Sequence, residues 1–195
     1  MNFSGASGAA GEYAEFHDEL RAVAAEILAK DIDWPLLVQA GWVGLDVPEE
    51  FGGAGATMAE IAVICEELGR AAAATAYLGG AVLATGALQM VAPTTLLNEV
   101  VDGTTRVALA LSGDTTAAPF ELATTRLGWR VYGRAAFVPD AVGAQRILLP
   151  GVDPEGIPVL VDVASDAVGF AVEPQPVLDE TRDLATVSFS LAVSS

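Results

Sequence analysis

The chain has 195 residues, with nine Lys+Arg against 26 Asp+Glu and a formal net charge of −17. Hydrophobic residues make up 52% and charged residues 18%, which excludes a globally disordered chain. One Cys and one His exclude a disulfide framework, a Cys-based zinc site and a His-rich metal centre, and the absence of any Lys/Arg cluster argues against nucleic acid and anionic lipid as partners.

Residues 1–11, rich in Gly, Ala and Ser, lack the basic and long apolar regions of a secretory signal and read as a flexible leader. A cytoplasmic location is the default. Tyr13, Phe16, Leu20, Val23 and Ile27 recur at spacings of three and four, which predicts a helix over 12–30 with those residues on one face. Trp34-Pro35 predicts a short helix closed near Gly41, because proline suits a first helical turn. Five Gly and one Pro make 41–56 a loop. Thr57 with Glu60 three residues later spells a capping box, and the helix it opens turns Ile61, Ile64, Cys65 and Leu68 inward before ending near Gly69. An Ala-rich helix follows over about 72–91, stopped by Pro93, and a last helix capped by Thr94 or Thr95 runs through Val101. The uncharged stretch 71–98 is long enough to span a bilayer, but its Ala/Gly content favours a buried helix.

At Asp102-Gly103 the pattern changes. Short β-rich runs occupy 106–111, 122–126, 129–138, 146–149, 157–163, 168–172 and 185–191, punctuated by Gly, Pro and Asp. Helices followed by strands, without alternation, predict an α+β chain: a leader over 1–11, an all-α helical bundle over 12–103 and an antiparallel β-barrel or sandwich over 104–195.

The residues alone give no self-contained catalytic site and no metal site. Gly52-Gly53-Ala54-Gly55 precedes a helix but lacks a Walker Lys and a preceding strand, so a structural turn is the better reading. His17 reads as a surface or packing residue, and Cys65 as an inert core thiol. Glu49-Glu50 and Glu66-Glu67 read as solvated charge, since adjacent residues do not face each other on a helix.

The stretch 41–71, GWVGLDVPEEFGGAGATMAEIAVICEELGRA, resembles the N-terminal helical domain of acyl-CoA dehydrogenases: Gly44, Pro48, Glu49, Glu50, Gly52, Gly53, Gly55, Glu66, Glu67, Leu68 and Gly69 match. Residues 106–111 resemble the strand that opens that family's middle β-domain, 128–138 its G-W-x-L-x-G hairpin, and 181–189 its closing strand. The resemblance implies FAD held between the β-domain and a C-terminal four-helix bundle, and oxidation of an acyl-CoA: a Glu base takes the α-proton and flavin accepts the β-hydride. The sequence departs from the pattern in three places. It stops at Ser195, short of the bundle that carries the base. Ser112-Gly113-Asp114-Thr115-Thr116 replaces the T-E-P-x-x-G-S-D flavin segment. Pro139 stands where the family has Ser or Thr. The resemblance carries over Leu111, Ser112, Phe137 and Val138 as flavin contacts, each with ordinary strand packing as the equal alternative, and no catalytic residue. It implies an acyl-CoA dehydrogenase-like flavoprotein, or a part or subunit of one, for fatty-acid or sterol side-chain oxidation. The implied substrate is an acyl-CoA and the implied partner a homologous subunit in a homo- or hetero-oligomer. The alternative is a non-catalytic acyl-binding or assembly subunit. A single continuous sheet, or a complete acid–base pocket inside the chain, would rule this platform out.

Overall fold

The computed structural model describes residues 6–30, 32–91, 95–111, 119–126, 128–189 and 192–193. Five α-helices come first: α1 (Ala6–Leu28), α2 (Trp34–Gln39), α3 (Met58–Arg70), α4 (Thr85–Gln89) and α5 (Thr95–Val101). Eight strands follow: β1 (Val107–Leu109), β2 (Phe120–Thr125), β3 (Gly128–Pro139), β4 (Arg146–Val152), β5 (Pro158–Ala164), β6 (Phe170–Pro174), β7 (Leu184–Phe189) and β8 (Ala192–Val193). The α+β order expected from the sequence is observed, and every expected strand run carries a strand.

α1 starts at Ala6, inside the segment expected to be an irregular leader. Its buried stripe is rotated from the expected one. Ala24 is fully buried and Leu20, Ile27 and Leu28 pack beside it, whereas Phe16 and Val23 are half exposed. The cause is polar: His17 turns toward α3 and bonds Glu60 there, so the helix rolls that side inward. α2 is capped by Asp33, whose carboxylate accepts from Leu36 N–H, and Gly41 follows its end at φ +73°. α3 has the expected capping box and buries Ile61, Ile64 and Leu68, with Val63 in addition.

The expected helix over 72–91 is interrupted. Ala72 sits at φ +47°, Tyr77–Ala84 is π-helical, and only Thr85–Gln89 is α-helical. The widened turn faces a crowded neighbour: a Cβ at Gly79 would lie 2.5 Å from the Pro139 carbonyl oxygen, and one at Gly80 3.1 Å from the Trp34 ring. Gly79 lets the helix backbone lie directly on the β half and Gly80 lets it lie on the Trp34 ring of α2, and π geometry recurs where such local demands distort a helix.

The strands join in one hydrogen-bonded sheet, mixed rather than wholly antiparallel. β1 and β2 run parallel along one edge of β4, and β5 pairs antiparallel with the other; β3 then links β2 to β7, β8 pairs with β3, and β6 pairs with β7. Val161 and Val163 on β5, at one end of this order, share a core with Phe170 and Val172 on β6, at the other, so the sheet curls on itself. β1 is the wall between two cores: Val107 and Leu109 face the helices, Ala108 and Ala110 face the curled sheet. On β4, Leu148 joins the helical core while Ile147 and Leu149 join the other.

Candidate functional site

The Gly-rich loop is not an anion site. Gly53, Ala54, Gly55 and Ala56 donate their N–H groups to the carbonyls of Pro48, Gly44, Val47 and Leu45, so the donors a phosphate needs are already used. A Cβ at Gly53 would sit 2.0 Å from the Val47 oxygen, which explains the glycine by packing. Among the described residues no group of three or more His, Cys, Asp and Glu could hold a metal ion, and no helix is long and apolar enough to cross a membrane.

Where α1 crosses α3, Glu60 accepts from Thr57 N–H at 2.8 Å and Thr57 Oγ1 at 2.6 Å, and lies 2.7 Å from His17 Nε2. The Thr57 hydroxyl, then His17, hold its carboxyl down at about 2 although the residue is buried. Glu67, expected in solvent, is buried and paired with Arg70 at 2.8 Å, whereas Glu66 is exposed, pairing with Arg70 at 2.7 Å. Cys65 is only partly buried, and that burial raises its thiol pKa.

A cleft of about 350 Å³ opens at the seam between helices and sheet, lined in part by Trp34, Thr75, Arg106, Asp140 and Asp183. The Arg106 guanidinium stands 5.9 Å from the Trp34 ring centroid. Asp140 closes the seam. Its Oδ2 accepts the Gly79 N–H at 2.6 Å, and its own N–H donates to the Asp183 carbonyl at 2.9 Å. Burial pushes its carboxyl up to about 6; the Gly79 N–H opposes the shift and Asp183 adds to it. Asp140 thus holds a proton well above the usual carboxylate range, at a joint rather than beside a nucleophile. Sequence reasoning missed it, because an Asp after Pro139 reads as a turn residue and its partner lies 61 positions away.

The four expected flavin contacts separate. Ser112 lies outside the described residues. Leu111, just past β1, and Phe137 in β3 are large apolar side chains half exposed to solvent. Val138 is fully buried in the sheet core, the strand-packing alternative of the sequence reading. A β-bulge between Ala135 and Val138 explains the split. Val131, Gly133 and Ala135 share one face of β3, and unbroken alternation would turn Phe137 to that face and into the core. The extra residue shifts the parity, so Val138 goes in and Phe137 comes out. Phe137 adopts φ +58°, a left-handed conformation that costs a bulky residue about 1–3 kcal/mol. Its N–H donates to Gln175 Oε1 at 2.7 Å.

Residues 7–113 match the family model for the acyl-CoA dehydrogenase N-terminal domain. The chain belongs to the acyl-CoA dehydrogenase family. It is 48% identical over 71 residues to the acyl-CoA dehydrogenase IpdE2 of Mycolicibacterium smegmatis, covering 36% of this chain and 22% of the relative. It is 32% identical over 143 residues to FadE27 of Mycobacterium tuberculosis, covering 71% and 38%. Among solved structures it superposes on a Tcur3481-Tcur3483 steroid ACAD variant with TM-score 0.77 and 27% identity, over 92% of this chain and 56% of that one. The ChsE4-ChsE5 complex of Mycobacterium tuberculosis gives TM-score 0.76 and 25% identity, over 92% and 55%. The chain therefore spans about half the length of these acyl-CoA dehydrogenase structures, and less of the two curated relatives.

Proposed function

We propose that this chain supplies the helical layer (12–103) and the β layer (104–195) of a flavin-dependent acyl-CoA dehydrogenase acting on an acyl-CoA thioester in the cytoplasm. The family match over residues 7–113, with superposition over 92% of the chain, is the observation that carries it. The likeness to a protein named as a steroid ACAD supports a sterol side chain as the acyl group. The likeness to a two-component complex supports a homologous subunit as partner.

FAD is implied by the family. The described residues fit one wall of its site: Leu111 and Phe137 are exposed apolar groups suited to the face of a planar ring. They do not present the donors for its polar edge, since Phe137 N–H is held by Gln175 and residue 139 is proline. Bound there, FAD supplies the two-electron oxidant. In this reading Phe137 and Leu111 exclude water from the ring and fix one face of it. A carboxylate from a four-helix bundle, in the same polypeptide or in a partner subunit, takes the α-proton.

The test is co-purification with and without a homologous subunit, followed by flavin absorbance and dye-coupled oxidation of a steroid acyl-CoA. Flavin and turnover in the joint preparation are expected; neither in either preparation overturns the proposal. A second reading, a non-catalytic assembly subunit, draws on the occupied Phe137 N–H and on Pro139. It predicts a stable complex in which replacing Phe137 by alanine leaves turnover unchanged.

A further inference from the structure

We infer that Gln175 is a positioning residue, which locks the β3 bulge in the parity that turns Phe137 outward. The residue is placed for it. Gln175 follows directly on β6, and its own N–H donates to the Leu184 carbonyl at 2.8 Å, which anchors its backbone to β7. β7 lies between β6 and β3, with Ala185 pairing with Val138 on one side and with Pro174 on the other. The Gln175 side chain therefore reaches past β7 to the bulge, and its Oε1 accepts the Phe137 N–H at 2.7 Å. A bulge leaves its extra residue out of the ladder, so that N–H has no strand carbonyl to meet. One side-chain amide supplies the missing acceptor and ties three strands together.

The consequence is specific to side-chain direction. Fold stability alone favours an aromatic ring in the core and a relaxed backbone, and at Phe137 the chain has neither: the residue is left-handed and its ring is half exposed. Strain of this kind persists only where surrounding contacts over-determine it. Gln175 is the contact that does so here. An aromatic ring held outward on a fixed backbone is a preformed face for a planar ligand. That the ligand is the flavin rests on the proposed function; that Gln175 sets the ring's direction does not.

The two are separable by experiment. The full chain is labelled with fluorophenylalanine, the Phe137 resonance is assigned by its loss in Phe137→Leu, and fluorine NMR in light and heavy water reads that ring's exposure. Amide exchange reads the Phe137 N–H. Gln175→Ala is expected to lower protection of the Phe137 amide at least tenfold and to shift and broaden the Phe137 fluorine signal. Gln175→Glu, which keeps an acceptor of the same length, is expected to restore both. Gln175→Asn keeps the amide but withdraws it by one methylene; it should behave as Gln175→Ala and serves if that variant does not fold. Unchanged protection and fluorine shift in Gln175→Ala or Gln175→Asn would overturn the inference, whatever the flavin does. With the homologous subunit present, FAD titrated into Gln175→Ala should bind at least fivefold more weakly than into Gln175→Glu. Equal FAD affinity alongside a displaced ring would retain Gln175 as the lock and remove the flavin as the ligand.

Discussion

Glu60 and Asp140 are both buried carboxylates, and their surroundings push them in opposite directions. Glu60 is ringed by donors, so its folded pKa of about 2 lies below the ordinary 4.5. Its contribution is full above pH 4.5 and is lost as pH falls toward 2. Asp140 is dominated by burial, so its folded pKa of about 6 lies above the ordinary 3.8. Between those values the folded state keeps a proton that the unfolded state has released, and stability falls as pH rises from about 4 to 6. By about 1.36 kcal/mol per unit, the full cost above pH 6 is on the order of 3 kcal/mol. Urea denaturation from pH 2 to 8 should therefore show a maximum near pH 4–5. Asp140→Asn keeps an acceptor for Gly79 N–H, and asparagine tolerates the φ of +58° found there. This variant should lose the decline between pH 4 and 6 and gain about 1–3 kcal/mol at pH 7. A wild-type decline that survives the substitution would place its source elsewhere. Thr57→Ala removes the cap and one donor to Glu60, and should cost about 1 kcal/mol at pH 7, read by the same titration.

The π-helical segment Tyr77–Ala84 is the element that sets the seam, and its glycines are not equivalent to those elsewhere. Gly79→Ala places a Cβ 2.5 Å from the Pro139 carbonyl oxygen and 2.7 Å from the Asp140 Oδ2 that Gly79 N–H bonds, so neither can yield without opening the joint. It should cost about 1–3 kcal/mol or more. Gly86 in α4 has nothing but its own helix backbone and chain neighbours near its Cβ position, and Gly86→Ala should stabilise by about 0.5–1 kcal/mol through helix propensity. Denaturant midpoints of the pair test the contrast; equal effects would mean that the seam yields freely. Periodicity and capping residues were enough to read most elements from the sequence. Thr57 and Glu60 act within one turn, and the strand runs are bounded by their own turns. What periodicity could not show came from contacts distant in sequence. Roll of α1 about its axis depends on His17 meeting Glu60, 43 positions away. The interruption of 72–91 depends on Pro139 and Asp140. At the candidate site, the outward turn of Phe137 and the burial of Val138 were not legible, because one bulge reverses the parity of everything after it.

At the scale of the molecule, the eight strands of the described residues form a single sheet, the outcome that the sequence reading took to rule out an acyl-CoA dehydrogenase platform. The superposition on a named steroid ACAD at TM-score 0.77 over 92% of the chain overrules that criterion, because a match of that extent takes in most of the sheet. Helices and sheet are also not independent bodies joined by a tether. β1 gives alternate residues to both cores, and β4 does the same through Leu148 and its neighbours. Loosening either strand exposes apolar surface on both sides of the wall. The chain should unfold in one cooperative step, with equal calorimetric and van't Hoff enthalpies. Leu148→Ala removes a fully buried side chain from the helical core while sitting on a strand of the sheet, and should cost about 2–5 kcal/mol. If the wall couples the layers, hydrogen exchange in this variant will lose protection by the same amount in peptides from α3 and from β7. If α3 opens while β7 keeps its protection, the two layers are separate cooperative units and β1 is only a boundary between them.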